Sequence, residues 1–122
     1  DISLDDTSSF DRTEVNPAME NLALTESTYY ILLSLYRPQH GYGIMQQTEQ
    51  LSGGRVRLAA GTLYGALNSL CEKGWIRQLP IEHGSRKKEY QLTDEGLLIL
   101  KHELARLQQL VANGESILQE KL

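Results

Sequence analysis

The chain has little with which to do redox, metal or membrane chemistry. A single cysteine, Cys71, stands among 122 residues, so no internal disulfide can form, which fits a reducing compartment. No run of about eighteen apolar residues is present, so nothing reads as a membrane helix. The first twenty residues are acidic and polar, without the apolar stretch of a signal peptide. A cytoplasmic protein with no membrane partner is the expectation. The three histidines, His40, His83 and His102, fall in separate elements and suggest no metal set. A paired nucleophile and base and a glycine-rich phosphate loop are also missing. Neither catalysis nor a cofactor is expected.

Positive charge is scarce overall, with 12 Lys and Arg against 16 Asp and Glu, yet it is unevenly spread. Residues 1–26 hold seven acids and only Arg12, a net of -6. Residues 27–93 hold eight bases against four acids, a net of +4, and residues 94–122 hold three against five, a net of -2. A basic module therefore lies between two acidic ends, and local charge decides what a surface attracts. Within it, Arg86, Lys87 and Lys88 run together behind Gly84-Ser85.

Along the chain, residues 1–23 show no sustained period and read as an acidic arm, either lying on its own domain or a neighbour, or competing with a polyanion for the basic module. Thr25 can cap a first helix whose apolar face is Ile31, Leu32 and Leu35, ended by Pro38. Gly41 opens a second helix, stopped by the SGG at 52–54. RVRL at 55–58 alternates like a minimal strand. A third helix runs from about Ala60 to Lys73, with Leu63, Ala66, Leu67 and Leu70 as its inner stripe, and Gly74 fits the left-handed position that closes it. WIRQLPI at 75–81 and EYQL at 89–92 are β-like, joined by a turn that carries the cations.

Thr93 caps a last helix reaching about Glu120, roughly 40 Å long at ~1.5 Å per residue. Leu97, Leu100, Leu104, Leu107, Val111 and Leu118 keep coiled-coil spacing, with Gly114 in the one empty seam position. So long an apolar stripe calls for a second copy of the chain. The fold class expected is mostly α with a small two-stranded β wing: a winged helix-turn-helix plus a long C-terminal dimerisation helix. The domain division is 1–23 arm, 24–92 DNA-binding domain and 93–122 dimerisation helix.

Three motifs in order carry a resemblance. HGYGI (His40 to Ile44), GTLYGALNSLCEKG (Gly61 to Gly74) and GSRKKEYQLTDEG (Gly84 to Gly96) resemble the PadR family of bacterial transcriptional regulators over about residues 24–112. The short C-terminal part is similar to the small subgroup with one dimer helix. Two departures stand out. Ala59 and Ala60 occupy the place where the family often has Ser-Pro, forgoing a side-chain cap. The last helix also lacks the tryptophan with which some drug-responsive members stack on flat aromatic ligands; the one Trp is Trp75.

With Leu63, Ala66, Leu67 and Leu70 turned inward, the third helix offers Thr62, Tyr64, Asn68 and Ser69 to the major groove and its edges. Thr62 and Tyr64 carry hydroxyls suited to phosphate, and Asn68 is read either as an adenine contact or as a solvated or phosphate-facing side chain. The resemblance implies a phosphate contact for Tyr42; its position alone fits a core tyrosine equally. Arg86, Lys87 and Lys88 read as a backbone clamp, or else as a solvated turn. Arg55 and Arg57 flank that face more weakly. Cys71, one position past the inner stripe, reads as a small buried hydrophobe.

The expected partners are a second copy and a pseudo-palindromic double-stranded operator, the function repression of a small operon. A small-molecule effector would sit near Tyr29 and Tyr30, beside the space left by Ala112 and Gly114. The alternative is a winged-helix dimer that binds a protein or small molecule and no operator.

Overall fold

A computed structural model describes residues 22–81 and 87–119. The acidic arm up to residue 21 and Arg86 lie outside the described residues. The chain divides after Leu97 into two units, residues 24–97 and one whose helical part begins at Leu98.

Helix α1 spans Glu26–Ser34, and its first turn closes as Thr25 Oγ1 accepts the Thr28 N–H at 3.2 Å. Strand β1 (Gln39–His40), helix α2 (Gly41–Leu51) and helix α3 (Ala60–Glu72) follow. After them come β2 (Ile76–Gln78), β3 (Glu89–Leu92) and helix α4 (Asp94–Leu118). Among the described residues no helix is long and apolar enough to cross a membrane.

The core of the first unit gathers one stripe from each helix. Ile31, Leu32 and Leu35 of α1 and its end, Ile44 and Thr48 of α2, and Leu63, Leu67 and Leu70 of α3 are buried, closed over by Ile76 and Tyr90 of the sheet. Burying a side chain of this size contributes roughly 1.5–3 kcal/mol, so this small set dominates the unit's stability. The three-to-four residue spacing within each helix puts these residues on one face, and the inner stripe expected of α3 is buried at Leu63, Leu67 and Leu70, with Ala66 half-buried at its edge.

The sheet is antiparallel in the order β1-β3-β2. The expected wing pair, β2 with β3, is there with Ile76 opposite Leu92 and Gln78 opposite Tyr90. The structure adds β1 along the other edge of β3, pairing Gln39 with Tyr90 and His40 with Glu89. The strand-like alternation of RVRL does not make a strand: residues 56–59 are irregular. Val56 gives its N–H to Ser52 Oγ at 2.9 Å rather than to a neighbouring chain. Arg55 also pairs with Glu26 and Arg57 with Glu49 at 3.5 Å, both pairs exposed to solvent and so contributing little.

The wing is tied to α4 by one threonine. Thr93 Oγ1 donates to the Gly74 carbonyl at 2.6 Å and accepts the Gly96 N–H at 3.1 Å, while the Thr93 N–H donates to the Trp75 carbonyl at 3.0 Å. Gly74 itself sits at φ 79°, where a Cβ is strained. At Gly96 a Cβ would overlap the Trp75 carbonyl oxygen. The Thr-x-x-Gly spacing is thus a cap joined to a close backbone approach.

On α4 the burial departs from a simple leucine seam. Ile99, Leu100 and the carboxylate of Glu103 are buried. Arg106 satisfies that carboxylate by two hydrogen bonds of 2.7 Å. Leu97 and Leu107 are half-buried, whereas Leu104, Val111 and Leu118 are exposed, as are Leu110 and Ile117.

Candidate nucleic-acid interface

Helix α2 starts with His40 as its cap, the imidazole Nδ1 accepting the Gly43 N–H at 3.2 Å. The first N–H groups of a helix have no partners within it and form its positive end. Tyr42 follows in that first turn with 62% of its surface exposed. Position resolves the choice left by sequence: it is not a core tyrosine.

Tyr64 reaches the same place from α3. Gly41 is buried beneath it, and a Cβ there would overlap the Tyr64 hydroxyl and come within 2.8 Å of Cζ. The glycine of HGY and the tyrosine of GTLY are therefore one contact, made between residues 41 and 64 on neighbouring helices. Tyr64 remains 43% exposed. Lys87 and Lys88, at the lead into β3, complete the surround. A cleft of about 500 Å³ is lined by His40, Gly41, Tyr42, Tyr64, Lys87 and Lys88.

Of the residues expected at a DNA face, the structure brings together Tyr42, Tyr64, Lys87 and Lys88. Thr62, Asn68 and Ser69 are exposed on α3 but do not line this cleft. At 3.6 residues per turn, Gly61, Gly65 and Asn68 occupy the centre of the exposed face of α3. Tyr64 lies on one flank, with Thr62 and Ser69 on the other. Arg86 is outside the described residues. Tyr29 and Tyr30 are half-buried on α1, their rings 6.2 Å apart and tilted by 60°. Sequence reasoning passed over His40 as a site residue, although a histidine directly before a helix start is a signal in itself.

Helix α3 begins without help from a side chain: Ala59 holds the cap position and makes no side-chain hydrogen bond. Its exposed residues from Ala60 to Ser69 carry no charge. Positive potential comes from the lysines beside it rather than from the helix. Beneath, burial raises the pKa of the Cys71 thiol above its ordinary value. Burial also raises that of Tyr90, with Cys71 and Tyr64 adding to the effect. Cys71 is half-buried, and this burial favours its neutral thiol form.

The family model described as the transcriptional regulator PadR-like family matches residues 30–102. A curated relative, an uncharacterised 37.1 kDa protein in transposon TN4556 of Streptomyces fradiae, is 42% identical over 73 residues. That match takes in 57% of this chain, which spans about a fifth (20%) of the relative's length. A PadR family transcription regulator from Clostridium difficile R20291 superposes with a TM-score of 0.65 at 22% identity, over 77% of this chain and 99% of the other. Bacillus subtilis PadR, solved in complex with operator DNA, gives a TM-score of 0.53 at 29% identity, over 63% of this chain and 45% of that one. With the winged helix, its three motifs and a family match over more than half its length, the chain belongs to the PadR-like family of transcriptional regulators.

Proposed function

We propose that the chain is a homodimeric repressor that binds a pseudo-palindromic operator through residues 24–92 and pairs through residues 93–122. The observation that carries this reading is the cleft, where the start of α2, Tyr64 of α3 and the two lysines before β3 converge. A hydroxyl pair, two cations and a helix N-terminus are a phosphate-binding set. With a phosphate held there, the exposed face of α3 enters the adjacent major groove. Thr62, Asn68 and Ser69 then meet base edges or flanking phosphates, and Arg86 extends the clamp of Lys87 and Lys88. The Bacillus subtilis relative bound to operator DNA supports the same use of the fold.

Dimerisation is supported by the exposed apolar residues of α4. Leu104, Leu110, Val111, Ile117 and Leu118 form a surface that a lone chain would leave in water. Two copies related by a two-fold axis place two α3 helices on one DNA face, so half-sites should lie about one helical turn apart, roughly 34–36 Å. A gel shift with DNA upstream of the protein's own gene, followed by footprinting, tests the reading. A protected site with two-fold symmetry is expected. Equal affinity for that fragment and for random DNA of the same length would refute operator recognition.

A further inference from the structure

His40 is an unusual residue with which to cap a helix. Asn, Asp and Ser are the preferred side chains for that position, and any of them would satisfy the Gly43 N–H that His40 Nδ1 accepts. An imidazole brings something they lack, a second nitrogen on the far side of the ring. Because Nδ1 accepts a hydrogen bond it carries no proton, so the proton of the neutral ring sits on Nε2. The cap thereby fixes the tautomer and leaves Nε2–H as a donor. Among the described residues the His40 side chain makes one hydrogen bond, from the Gly43 N–H to Nδ1, and none is made by Nε2. Its cross-strand neighbour Glu89 is exposed, and no hydrogen bond joins the two. The same residue lines the cleft with Tyr42, Tyr64, Lys87 and Lys88.

We propose that His40 is a DNA ligand, its Nε2–H donating to a backbone phosphate oxygen seated in this cleft. The inference rests on the DNA-binding reading above and adds a contact to it. The residue does two jobs at once: one nitrogen fixes the first turn of α2, and the other is offered to the phosphate. A neutral donor contributes affinity without sequence preference and without releasing a counterion of its own.

The test compares His40→Asn and His40→Ala with the wild-type chain at pH 8, on the operator fragment and on random duplex. Asparagine keeps a cap but is too short to reach the phosphate. His40→Asn is expected to melt within a degree or two of wild type. It should bind both duplexes more weakly by similar factors, on the order of tenfold or more, with the salt slope unchanged. Wild-type affinity in His40→Asn, with a loss only in His40→Ala, would make the imidazole a cap alone and overturn the proposal. A loss confined to the operator would overturn the phosphate assignment. A wild-type chain that retards no DNA removes the DNA-binding reading and this contact together, whereas wild-type binding with an unaltered His40→Asn removes the contact only.

Discussion

Changing Lys87 and Lys88 together to alanine removes two exposed cations from each copy, and four from a dimer on DNA. Each phosphate neutralised by a protein cation releases counterion, contributing a slope of about -0.9 in log K against log salt on B-DNA. If all four lysines reach phosphates, the variant's slope is shallower by about 3.6. Between 50 and 200 mM salt, a fourfold rise, the wild type should lose on the order of a hundredfold more affinity than the variant. Lysine is a hydrated point charge with no fork to match a base edge. Operator and random duplex should therefore weaken alike.

Tyr64→Phe is the matched control. It keeps the ring over Gly41 and deletes only a neutral hydroxyl, so affinity should fall while the slope stays as in wild type. Fluorescence anisotropy across five salt concentrations measures both quantities. An unchanged slope in the lysine variant would mean that both side chains stay hydrated in the complex. The clamp would then be a solvated turn.

Three further outcomes follow from the fold. Leu104→Glu with Leu107→Glu places four charges in the proposed seam of a dimer, and sedimentation should show monomer or unfolded chain; an unchanged dimer would remove these residues from the interface. Gly96→Ala pushes a methyl group into the Trp75 carbonyl oxygen, which backbone cannot yield cheaply. A loss of about 1–3 kcal/mol is expected, visible as a drop in Tm, and a variant as stable as wild type would contradict the close approach. Raised pKa values at Tyr90 and Cys71 mean the folded chain holds these protons more tightly than the unfolded one. The stability they lend is complete below the ordinary thiol and phenol values and is lost as pH climbs through the raised ones. Tm should therefore fall as pH climbs past the ordinary thiol and phenol values, less steeply in Tyr90→Phe, and a flat profile would contradict the burial of Tyr90.

What sequence made legible was local chemistry. Thr25 and Thr93 are read as caps because the capped N–H lies three residues ahead. Gly74 is legible because a helix needs a left-handed residue to close. The inner stripe of α3 is legible because its period is its own. Strand β1 has no such signal: Gln39 and His40 are extended only because β3 offers them an edge. RVRL carried the signal without the partner, and its amide went to Ser52 instead. Glu103 has no local sign of burial in the sequence, yet it is buried, with Arg106 three residues on donating to its carboxylate. The cleft was half visible: each tyrosine could be singled out, but nothing local says that Gly41 is small in order to admit Tyr64.

That division also separates the labours of the proposed site. A recognition helix without charge from Ala60 to Ser69 supplies no counterion release, and its central Gly61 and Gly65 have open space where a Cβ would stand. It can lie close to base edges but cannot hold DNA by itself. Affinity must then come from the rim, from Lys87, Lys88, the tyrosines and the α2 start. In the proposed complex selectivity would be left to Thr62, Asn68 and Ser69, the exposed polar side chains that α3 offers beside its glycines. Asn68→Ala separates these parts. It removes a side chain able to pair with adenine N6 and N7, a contact worth about 1–3 kcal/mol of discrimination, and touches no cation. Competition binding should show the preference for operator over random duplex shrinking by roughly five- to a hundredfold for each half-site, multiplied over the two half-sites of a dimer, with random-duplex affinity and salt slope held at wild-type values. A uniform loss on both duplexes would instead make Asn68 a phosphate contact, and would move base reading onto Thr62 and Ser69.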